Sequence, residues 1–441
     1  MVVRIKTEIP GPNSREITDK SSEYEAKAVK RQFPVIWARA RGVTVEDVDG
    51  NRYLDFTSGI LVANIGHSHP GHIAKIQEQA GKYLNCYNFV NPWRVKLAEK
   101  LVGLTSAGLN KVFIATTGAE AVEFAVKAAK YYTGRHEIIS FYGGYHGKTY
   151  GAESLNGKAS SRTGFGPAMP GVIFSPYPNC YRCDFEREYP ACELFCFKFL
   201  QRKVETESSR NIAALIIEPF QGGAGQIMPP PVFVQKLAEW CAANKVVFIM
   251  DETQTSFGRT GRMFAFEHFG VEPDLVVAGK GISGGIPITA LIGRDRIMDN
   301  LPAGSLSSTH GGNPIACCAA VTSIEIIEEE GLLNNSEQMG QYLLEKGRKL
   351  CKESGIIGDF RGIGLMAGVE IVRDKETKNP APDLAKQIVN ECIKKGLLLI
   401  QPIGFYGNVI RMAPPLVIRR EEIDEALAIF AEAVSQMSSR I

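Results

Sequence analysis

Residues 246–252 read VVFIMDE, an apolar run that ends in two acids. A second apolar run occupies residues 275–278, and Gly279 and Lys280 follow it directly. Short apolar runs of this kind, set between segments of helical periodicity, are typical of parallel strands that are buried on both faces. Because ligands of open α/β sheets bind at the carboxyl ends of the strands, we expect Asp251 and Lys280 to project into one crevice.

An acid and an amine in one crevice suit the chemistry of pyridoxal 5'-phosphate (PLP). A lysine carries the aldehyde of this cofactor as a Schiff base, and a carboxylate keeps the pyridine nitrogen protonated, so that the ring can act as an electron sink. We therefore predict Lys280 and Asp251 as catalytic residues. Once a substrate amine displaces it, Lys280 is expected to move a proton as a free base, and this role requires a lowered pKa.

The residues around this pair resemble a known family. Residues 251–261 read DETQTSFGRTG and residues 273–280 read PDLVVAGK, and both are similar to signatures of the class III, or ω-type, PLP-dependent aminotransferases, including members that act on 4-aminobutyrate. The resemblance runs in the family's order from about Gly42 to Pro415. It implies PLP fold type I, an α/β fold with a mainly parallel sheet covered by helices in a large domain and a smaller α+β domain formed by both termini.

The pattern along the chain predicts three segments. Residues 1–65 are expected to form an N-terminal arm, loosely held over residues 1–20, and small-domain strands that include a hairpin around an Asp-Gly-Asn turn. Residues 66–325 alternate between strand and helix signals and form the predicted large PLP-binding domain. In residues 326–441, long amphipathic helices flank short strands, which predicts a C-terminal α+β small domain. The strands expected in the large domain are residues 112–115, 138–141, 172–174, 214–217, 246–250, 275–278 and 289–292.

The composition disfavours several classes of partner. The chain has 441 residues and a formal net charge of +2, so its charge does not favour binding to nucleic acid or to an anionic membrane. No apolar stretch approaches the roughly 18 residues of a membrane-spanning helix, and the polar residues 1–20 lack the apolar core of a signal peptide. We therefore expect a cytoplasmic enzyme that acts on small molecules.

Ten cysteines are many for such an enzyme. Four of them lie in one excursion, with the spacing Cys180-x2-Cys183-x8-Cys192-x3-Cys196. This spacing can hold zinc or an iron–sulfur centre, and the alternative is a set of reduced thiols that pack a local excursion. We assign no metal ligands and leave the two alternatives open. A disulfide framework is not expected in a large cytoplasmic protein.

Residues 116–120 read TTGAE and join a predicted strand to a predicted helix. The first turn of a helix presents free N–H groups and the positive end of the helix dipole, which suit a phosphate. Gly118 and Ala119 are small enough to let the backbone approach such a group closely. By resemblance to the family, Gly118 and Ala119 belong to the cup for the phosphate of PLP.

The resemblance implies further residues of the cofactor site. Tyr145 stands where the aromatic residue of the family stacks on the pyridine ring, and His146 beside it is expected to support the site. Gln254 corresponds to the side chain that bonds the phenolic oxygen of PLP. Thr309 corresponds to the threonine that reaches the phosphate of the neighbouring subunit. This last match implies a homodimer with shared active sites, and a tetramer stays open.

The resemblance also places Ile60 and Lys148 on the substrate side of the pocket. Relatives specific for 4-aminobutyrate carry arginine at the position of Lys148, where it holds the substrate carboxylate. Lysine offers a flexible point charge instead of a planar fork. This difference leaves open another ω-amino or β-amino compound, or a bulkier acyl derivative, as the donor. For Ile60, the alternative is a place in the core.

Glu218 and Arg411 match a pair that switches between two arrangements in the family. The glutamate pairs with the arginine while an ω-amine occupies the site, and the arginine is released to bind the α-carboxylate of glutamate or 2-oxoglutarate. One pocket can thereby accept substrates with and without that carboxylate. Since both residues are present, we expect 2-oxoglutarate as the amino acceptor. The alternative is a purely structural ion pair.

These features predict an enzyme that moves an amino group from an ω- or β-amino compound, of the 4-aminobutyrate kind, to 2-oxoglutarate and so produces glutamate. An amino-acid racemase or epimerase on the same fold and cofactor is the alternative. Racemisation needs an acid–base group on each face of the cofactor, and the sequence assigns no second group. A PLP-sensing regulator is disfavoured, since the residues before the large domain show neither a helix-turn-helix pattern nor a basic patch.

Overall fold

The computed structural model of the chain describes residues 2–29, 32–105 and 108–438. Its strands form one large sheet and two small ones. The strands are, in chain order, β1 (Trp37–Arg41), β2 (Thr44–Asp47), β3 (Arg52–Asp55), β4 (Lys111–Ala115), β5 (Glu137–Phe141), β6 (Val172–Ser175), β7 (Ile212–Ile217), β8 (Val247–Glu252), β9 (Leu275–Ala278), β10 (Thr289–Gly293), β11 (Ile357–Ile363), β12 (Met366–Ile371), β13 (Leu397–Leu398) and β14 (Val409–Met412).

Helices separate most of these strands along the chain. They are α1 (Pro12–Tyr24), α2 (Ser58–Leu61), α3 (Pro70–Ala80), α4 (Pro92–Gly103), α5 (Gly118–Thr133), α6 (Tyr150–Ser154), α7 (Ala159–Arg162), α8 (Phe195–Glu207), α9 (Pro231–Asn244), α10 (Asp295–Met298), α11 (Pro314–Glu329), α12 (Leu332–Glu353), α13 (Pro382–Lys394) and α14 (Arg420–Ser438). None of the helices in the described ranges combines the length and the apolar composition that crossing a bilayer requires.

The large sheet has seven strands and is mainly parallel, which confirms the predicted α/β architecture. Its order is β4-β10-β9-β8-β7-β5-β6, and β10 runs antiparallel to its neighbours β4 and β9. Residues of β7 enter two different cores: Leu215 packs in the core that contains α9, and Ala214 packs in the core that contains α5. Because both faces of the sheet are covered, its central strands are apolar without alternation.

The topology brings the side chains of Glu218, Asp251 and Lys280 to one edge of this sheet. β7, β8 and β9 are parallel neighbours, with Ile217 opposite Met250 and Glu252 opposite Ala278. Glu218 and Lys280 therefore leave the sheet on either side of the end of β8. Parallel strands share their carboxyl edge, so the predicted crevice lies where the apolar runs end.

The terminal parts of the chain build the two smaller sheets. β1, β2, β3 and β13 form one, in which Leu397 of β13 pairs parallel with Leu54 of β3. β2 and β3 form the predicted hairpin. β11, β12 and β14 form an antiparallel sheet, and β14 carries Arg411. Residues from the beginning and the end of the chain are thus joined in one sheet.

Residues 2–24 are held more firmly than the sequence predicts. Instead of a loose arm, the structure has the helix α1, near whose start Asn13 donates its N–H to Asp49 at 2.8 Å. Upstream of the helix, the N–H of Lys6 donates to the side chain of Asn51 at 2.7 Å. The prediction failed because these are long-range hydrogen bonds, which leave no apolar periodicity in the sequence.

Candidate active site

A cavity of about 420 Å³ lies at the carboxyl ends of the central strands. Its walls come from the start of α5, from the loop after β5 and from the residues that end or follow β7, β8 and β9. Nine of the predicted site residues line this cavity: Gly118, Ala119, Tyr145, His146, Lys148, Glu218, Asp251, Gln254 and Lys280.

Lys280 follows β9 and begins a short 3₁₀ turn, Lys280–Ser283. Its side chain lines the cavity, and burial lowers the pKa of Lys280 to about 8. The charges of Asp251 and Glu218 oppose this shift, whereas that of Arg411 adds to it. Lys280 is therefore a free amine over a larger part of the neutral pH range than an exposed lysine is.

Asp251 is buried near the end of β8, and its carboxylate is held on both sides. Oδ2 lies 2.8 Å from Nδ1 of His146, while Oδ1 accepts hydrogen bonds from the N–H and the hydroxyl of Thr253 at 3.1 and 2.5 Å. His146 is itself anchored, because its N–H donates to the side chain of Asn156 at 2.7 Å. Asp251 thus presents a carboxylate of fixed orientation to the cavity.

The start of α5 forms a cradle in the cavity wall. Thr117 and Glu120 cap each other's N–H groups, so the helix end is held without a ligand. The N–H groups of Gly118 and Ala119 belong to the first turn, where no carbonyl of the helix is available to them. At Gly147, with φ of 143°, an added Cβ would lie 2.6 Å from the Cβ of Ala119, so glycine lets the loop after β5 close over this helix end. The cradle fits a phosphate.

Glu218 is a buried acid in the cavity wall. Its Oε1 accepts the N–H of Tyr145 at 2.9 Å, and its Oε2 accepts the N–H of Gly222 at 3.0 Å. Burial nevertheless raises the pKa of Glu218 to about 7, against the charge of His146 and with the support of Asp251. Glu218 therefore changes its protonation state near neutral pH.

Arg411 does not line the cavity itself but lies behind Gln254, which does. Its Nη1 donates to Oε1 of Gln254 at 3.2 Å. Burial lowers the pKa of Arg411 to about 10, so the guanidinium is charged at neutral pH. In the described ranges Arg411 forms no ion pair, and the pair expected with Glu218 is absent. The hydrogen bonds of Glu218 explain why this pair is absent, since both of its oxygens already accept backbone N–H groups.

Two side chains stand at the mouth of the cavity. The side chain of Tyr145 is partly exposed, and a Cβ added at Gly223 would lie 3.5 Å from the Cβ of Tyr145. Lys148 is exposed and has neither a hydrogen bond nor an ion pair with another residue that the structure describes. Lys148 is therefore a free point charge at the entrance, available to an anionic group of a substrate.

Besides Arg411, two predicted residues lie outside the cavity of their own chain. Ile60, in α2, is 38 % exposed, and Val62 lines the cavity in its place. Thr309 is exposed on the loop before α11. The sequence analysis missed residues 285–289, which form one wall of the cavity. The glycine pair at 284–285, shortly after Lys280, was the signal that could have identified this wall, because it marks a turn beside a functional residue.

The four clustered cysteines lie away from this cavity. A separate cavity of about 30 Å³ is lined by Cys180, Cys183, Cys192 and Cys196 together with Phe185 and Phe195. The cysteines are free thiols, and burial raises the pKa of Cys196 to about 12. In the part of the chain that the structure describes, no group of three or more His, Cys, Asp or Glu side chains is arranged to hold a metal ion.

Comparison with known proteins identifies the family. The family described as aminotransferase class-III matches residues 25–434. The chain belongs to the class III aminotransferases. This class III aminotransferase is 36% identical to the leucine/methionine racemase of Thermococcus litoralis over 96% of both chains, and 38% identical to the 4-aminobutyrate aminotransferase of Mycobacterium bovis over 98% of both.

Solved structures share the fold of this class III aminotransferase. It superimposes on an aminotransferase of Bacillus anthracis with a TM-score of 0.90 and 33% identity, over 98% of this chain and 100% of the other. An amine transaminase from an uncultivated Pseudomonas species, solved in its PLP-bound form, gives a TM-score of 0.86 and 31% identity over 95% and 97% of the two chains. The predicted PLP fold type I and the dependence on PLP are thereby confirmed.

The cavity is compatible with this cofactor. The cradle at α5 fits the phosphate, the carboxylate of Asp251 can meet a protonated ring nitrogen, and the amine of Lys280 can react with an aldehyde. When bound, PLP supplies an electron sink that stabilises negative charge on a carbon next to the substrate nitrogen. As a class III aminotransferase, the enzyme acts on a small-molecule amino donor and a keto acid.

Proposed function

We propose that the enzyme transfers the amino group of an ω- or β-amino compound, of the 4-aminobutyrate kind, to 2-oxoglutarate and releases glutamate. Arg411 is the observation that carries this proposal. It is a buried guanidinium, charged at neutral pH and paired with no carboxylate of the described residues, and one amide side chain separates it from the cavity. Such a group offers a carboxylate two parallel, charge-assisted hydrogen bonds. The similarity to a 4-aminobutyrate aminotransferase supports the donor class.

Lys280 has two tasks in this proposal. It would hold the cofactor through the aldehyde, and as a free amine it would act as the base that moves a proton to and from the reacting carbon of the substrate. The pKa of about 8 leaves a usable fraction of free amine near neutral pH. Asp251 keeps the ring nitrogen protonated, and its contact with His146 holds it in the orientation that this requires.

The positions of four further residues support the other cofactor contacts that we propose. Gly118 and Ala119 would donate N–H groups to the phosphate, and Tyr145 would lie against the ring. Gln254 accepts a hydrogen bond from Arg411 through Oε1, which leaves its amide N–H groups to donate to the phenolic oxygen. Gln254 therefore has a partner on each side.

Gln254 also gives Arg411 a resting partner. While an amine without an α-carboxylate is in the cavity, Arg411 stays with Gln254, and Glu218 stays with its two backbone donors. The α-carboxylate of glutamate or 2-oxoglutarate replaces Oε1 of Gln254 as the acceptor. In this proposal the switch exchanges an amide for a carboxylate, and it does not need an ion pair between Glu218 and Arg411.

Lys148 and the outlying residues complete the proposed site. Lys148 binds the distal carboxylate of the substrate at the cavity mouth. Thr309, which is exposed outside its own cavity, serves the phosphate site of a second copy in a homodimer, and Ile60 borders the substrate side. Strongly exposed apolar side chains support a subunit interface, since Phe89 is 78% and Val90 is 81% exposed.

Racemisation of an amino acid is the second candidate. The similarity to a leucine/methionine racemase favours it, and so does Glu218, a second group in the cavity with a pKa of about 7. Two groups of this kind, Glu218 and Lys280, are what proton removal and return on different faces require. The two candidates differ in what they require of Arg411. A racemase binds an α-carboxylate in every substrate, so Arg411 need not switch between two partners.

A panel experiment separates the two candidates. The PLP-loaded enzyme is mixed with 2-oxoglutarate and single amines, including 4-aminobutyrate, 5-aminovalerate and β-alanine, and the glutamate formed is measured. Interconversion of D- and L-amino acids is followed in the same plate without 2-oxoglutarate. Glutamate from an ω- or β-amine is the expected result. Scrambling of an L-amino acid without formation of glutamate would instead assign the enzyme as a racemase.

Arg411→Ala tests the carboxylate site. We expect the half-reaction with glutamate to slow by about a hundredfold, because a buried charge-assisted contact is lost, and the half-reaction with 4-aminobutyrate to change by less than about threefold. Single-turnover absorbance changes of the PLP form measure both rates. Equal losses in the two half-reactions would contradict the proposed role of Arg411.

A further inference from the structure

Arg259 is the largest side chain in the described ranges that is completely buried, with 0% exposure. It forms no ion pair with any described residue. Nη1 donates to the carbonyls of Leu365 and Pro414 at 3.0 and 2.5 Å. Nη2 donates to Oγ of Ser58 at 3.3 Å and to Oδ1 of Asn64 at 2.6 Å. A buried charge with neutral partners alone is costly, and packing does not explain it, since an apolar side chain would fill the same volume without that cost.

The first segment that Arg259 holds is the turn α2 with the residues after it. All four residues of α2 have positive φ, between 50° and 67°, and three of them are not glycine. This left-handed conformation costs about 1–2 kcal/mol for each such residue, so it persists only where the surroundings hold it. Ser58 provides one such hold, because its hydroxyl accepts from Arg259 and donates to the carbonyl of Ala413 at 2.6 Å.

The second segment is the backbone that follows Arg411. The carbonyl of Pro414 accepts from Arg259, and the N–H of Ala413 donates to the carbonyl of Phe56 at 2.9 Å. The N–H of Leu416 donates to the carbonyl of Asn64, also at 2.9 Å. Arg259 thus lies between two backbone segments that are hydrogen-bonded to each other, and one of them begins two residues after Arg411.

The charges of the two arginines are also coupled. Burial, together with the nearby charge of Arg411, lowers the pKa of Arg259 to about 9, and Asp55 opposes this shift. The guanidinium therefore remains charged at neutral pH, beside a second buried guanidinium. A carboxylate that reaches Arg411 enters the field of both groups.

We propose that Arg259 is a positioning residue for the α-carboxylate site. It fastens the turn α2 to the backbone behind Arg411 and so fixes where Arg411 meets the carboxylate of glutamate and 2-oxoglutarate. This inference rests on the role proposed above for Arg411. A displacement of about 1 Å in a binding group can cost up to about a hundredfold in rate, so a group that holds Arg411 in place affects carboxylate substrates before it affects others.

Arg259→Lys tests this inference, because lysine keeps the charge and loses the planar fork. With the PLP-loaded enzyme, we expect the dissociation constant of glutarate, a dicarboxylate that cannot react, to rise about tenfold in calorimetric titration. The half-reaction with glutamate should slow by a similar factor, and that with 4-aminobutyrate by less than about threefold. Ser58→Ala, which removes one acceptor and keeps Arg259, is the second variant and is expected to shift glutarate binding in the same direction by a smaller factor.

Arg135→Lys is the matched control. Arg135 also donates to three backbone carbonyls, those of Ile212, Asn244 and Lys245, but at the opposite edge of the large sheet. The Arg135→Lys variant should leave the binding of glutarate unchanged. The melting temperature of each variant reports any general loss of stability.

Arg411→Lys separates this inference from the proposed function. If Arg411→Lys fails to weaken glutarate, the assignment of the carboxylate site itself is wrong. If Arg411→Lys weakens glutarate but Arg259→Lys and Ser58→Ala do not, or if they slow both half-reactions equally, then Arg259 only stabilises the fold and the inference is overturned.

Discussion

Glu218 and Glu252 lie at the ends of neighbouring strands but belong to two different regions, the cavity and the apolar core. Both are buried, and burial raises the pKa of each to about 7. The cavity around Glu218 also contains Lys280 and Asp251. Glu252 instead lies among core side chains, where it accepts hydrogen bonds from the hydroxyl of Thr255 and from the backbone N–H of residue 266. Equal pKa shifts therefore do not indicate equal roles.

The donors around the two acids explain the difference. Both oxygens of Glu218 accept from backbone N–H groups, which can only donate, so the site accommodates a carboxylate and not an amide. One oxygen of Glu252 accepts from the Thr255 hydroxyl, which can also act as an acceptor. A glutamine at position 252 could donate one N–H to the Thr255 hydroxyl and accept from the backbone N–H of residue 266, whereas a glutamine at position 218 would have to turn an amide N–H toward a backbone N–H.

Loss of Lys280 should have the largest effect in the cavity. Lys280→Ala is expected to lower turnover by about 10⁴-fold or more and to remove the visible absorption of the lysine-bound cofactor, since one amine supplies both the attachment and the base. Lys130→Ala is the control, because burial also lowers the pKa of Lys130 but its side chain does not line the cavity. Turnover near the wild-type level in Lys280→Ala would refute the assignment.

Glu218→Gln should have the next largest effect. One amide N–H group must face a backbone N–H, which displaces Tyr145 or Gly222, and we expect kcat/KM to fall by about 10- to 100-fold. The ionisation near pH 7 should disappear from the pH profile of kcat/KM, because a carboxylic acid with a pKa of about 7 has been removed from the cavity. A profile that retains this step would show that another group produces it.

Glu252→Gln should have the smallest effect on activity, less than about threefold, and a distinct effect on stability. The pKa of Glu252 is raised from 4.5 to about 7 in the folded state. The contribution of Glu252 to wild-type stability is therefore fully present below about pH 4.5 and is lost as the pH rises through about 7. The glutamine variant does not titrate. Urea unfolding of the cofactor-free proteins should give similar stabilities at about pH 5 and a variant more stable by about 3 kcal/mol at about pH 8. A difference independent of pH would contradict the raised pKa.

Much of the cavity could be predicted from the sequence, because its residues follow strands that are recognisable from the sequence. β7, β8 and β9 are buried on both faces, which leaves continuous apolar runs, and parallel strands share their carboxyl edge. Asp251 and Lys280 could therefore be placed together without coordinates. The cradle at Gly118 was predictable for a similar reason, since a strand followed by a small residue and a helix is a local pattern.

The partners of these residues were not predictable in the same way. The expected pair of Glu218 and Arg411 is absent, and Arg411 instead contacts Gln254, which lies 157 residues away in the chain. Arg259 donates hydrogen bonds to segments that lie 106 to 201 residues away from it in the chain. The hydrogen bonds of Asn13 and Lys6 also reach beyond local sequence, to residues 36 and 45 positions away.

The sequence by itself determined the fold class, the edge of the sheet that carries the site, and the residue types that meet there. These follow from local periodicity and from a general rule of sheet topology. Only the tertiary structure decided which donors hold Glu218, which partner Arg411 has and what Arg259 holds. Those outcomes depend on hydrogen-bond donors and on burial contributed by distant segments, and neither leaves a periodic trace in the chain.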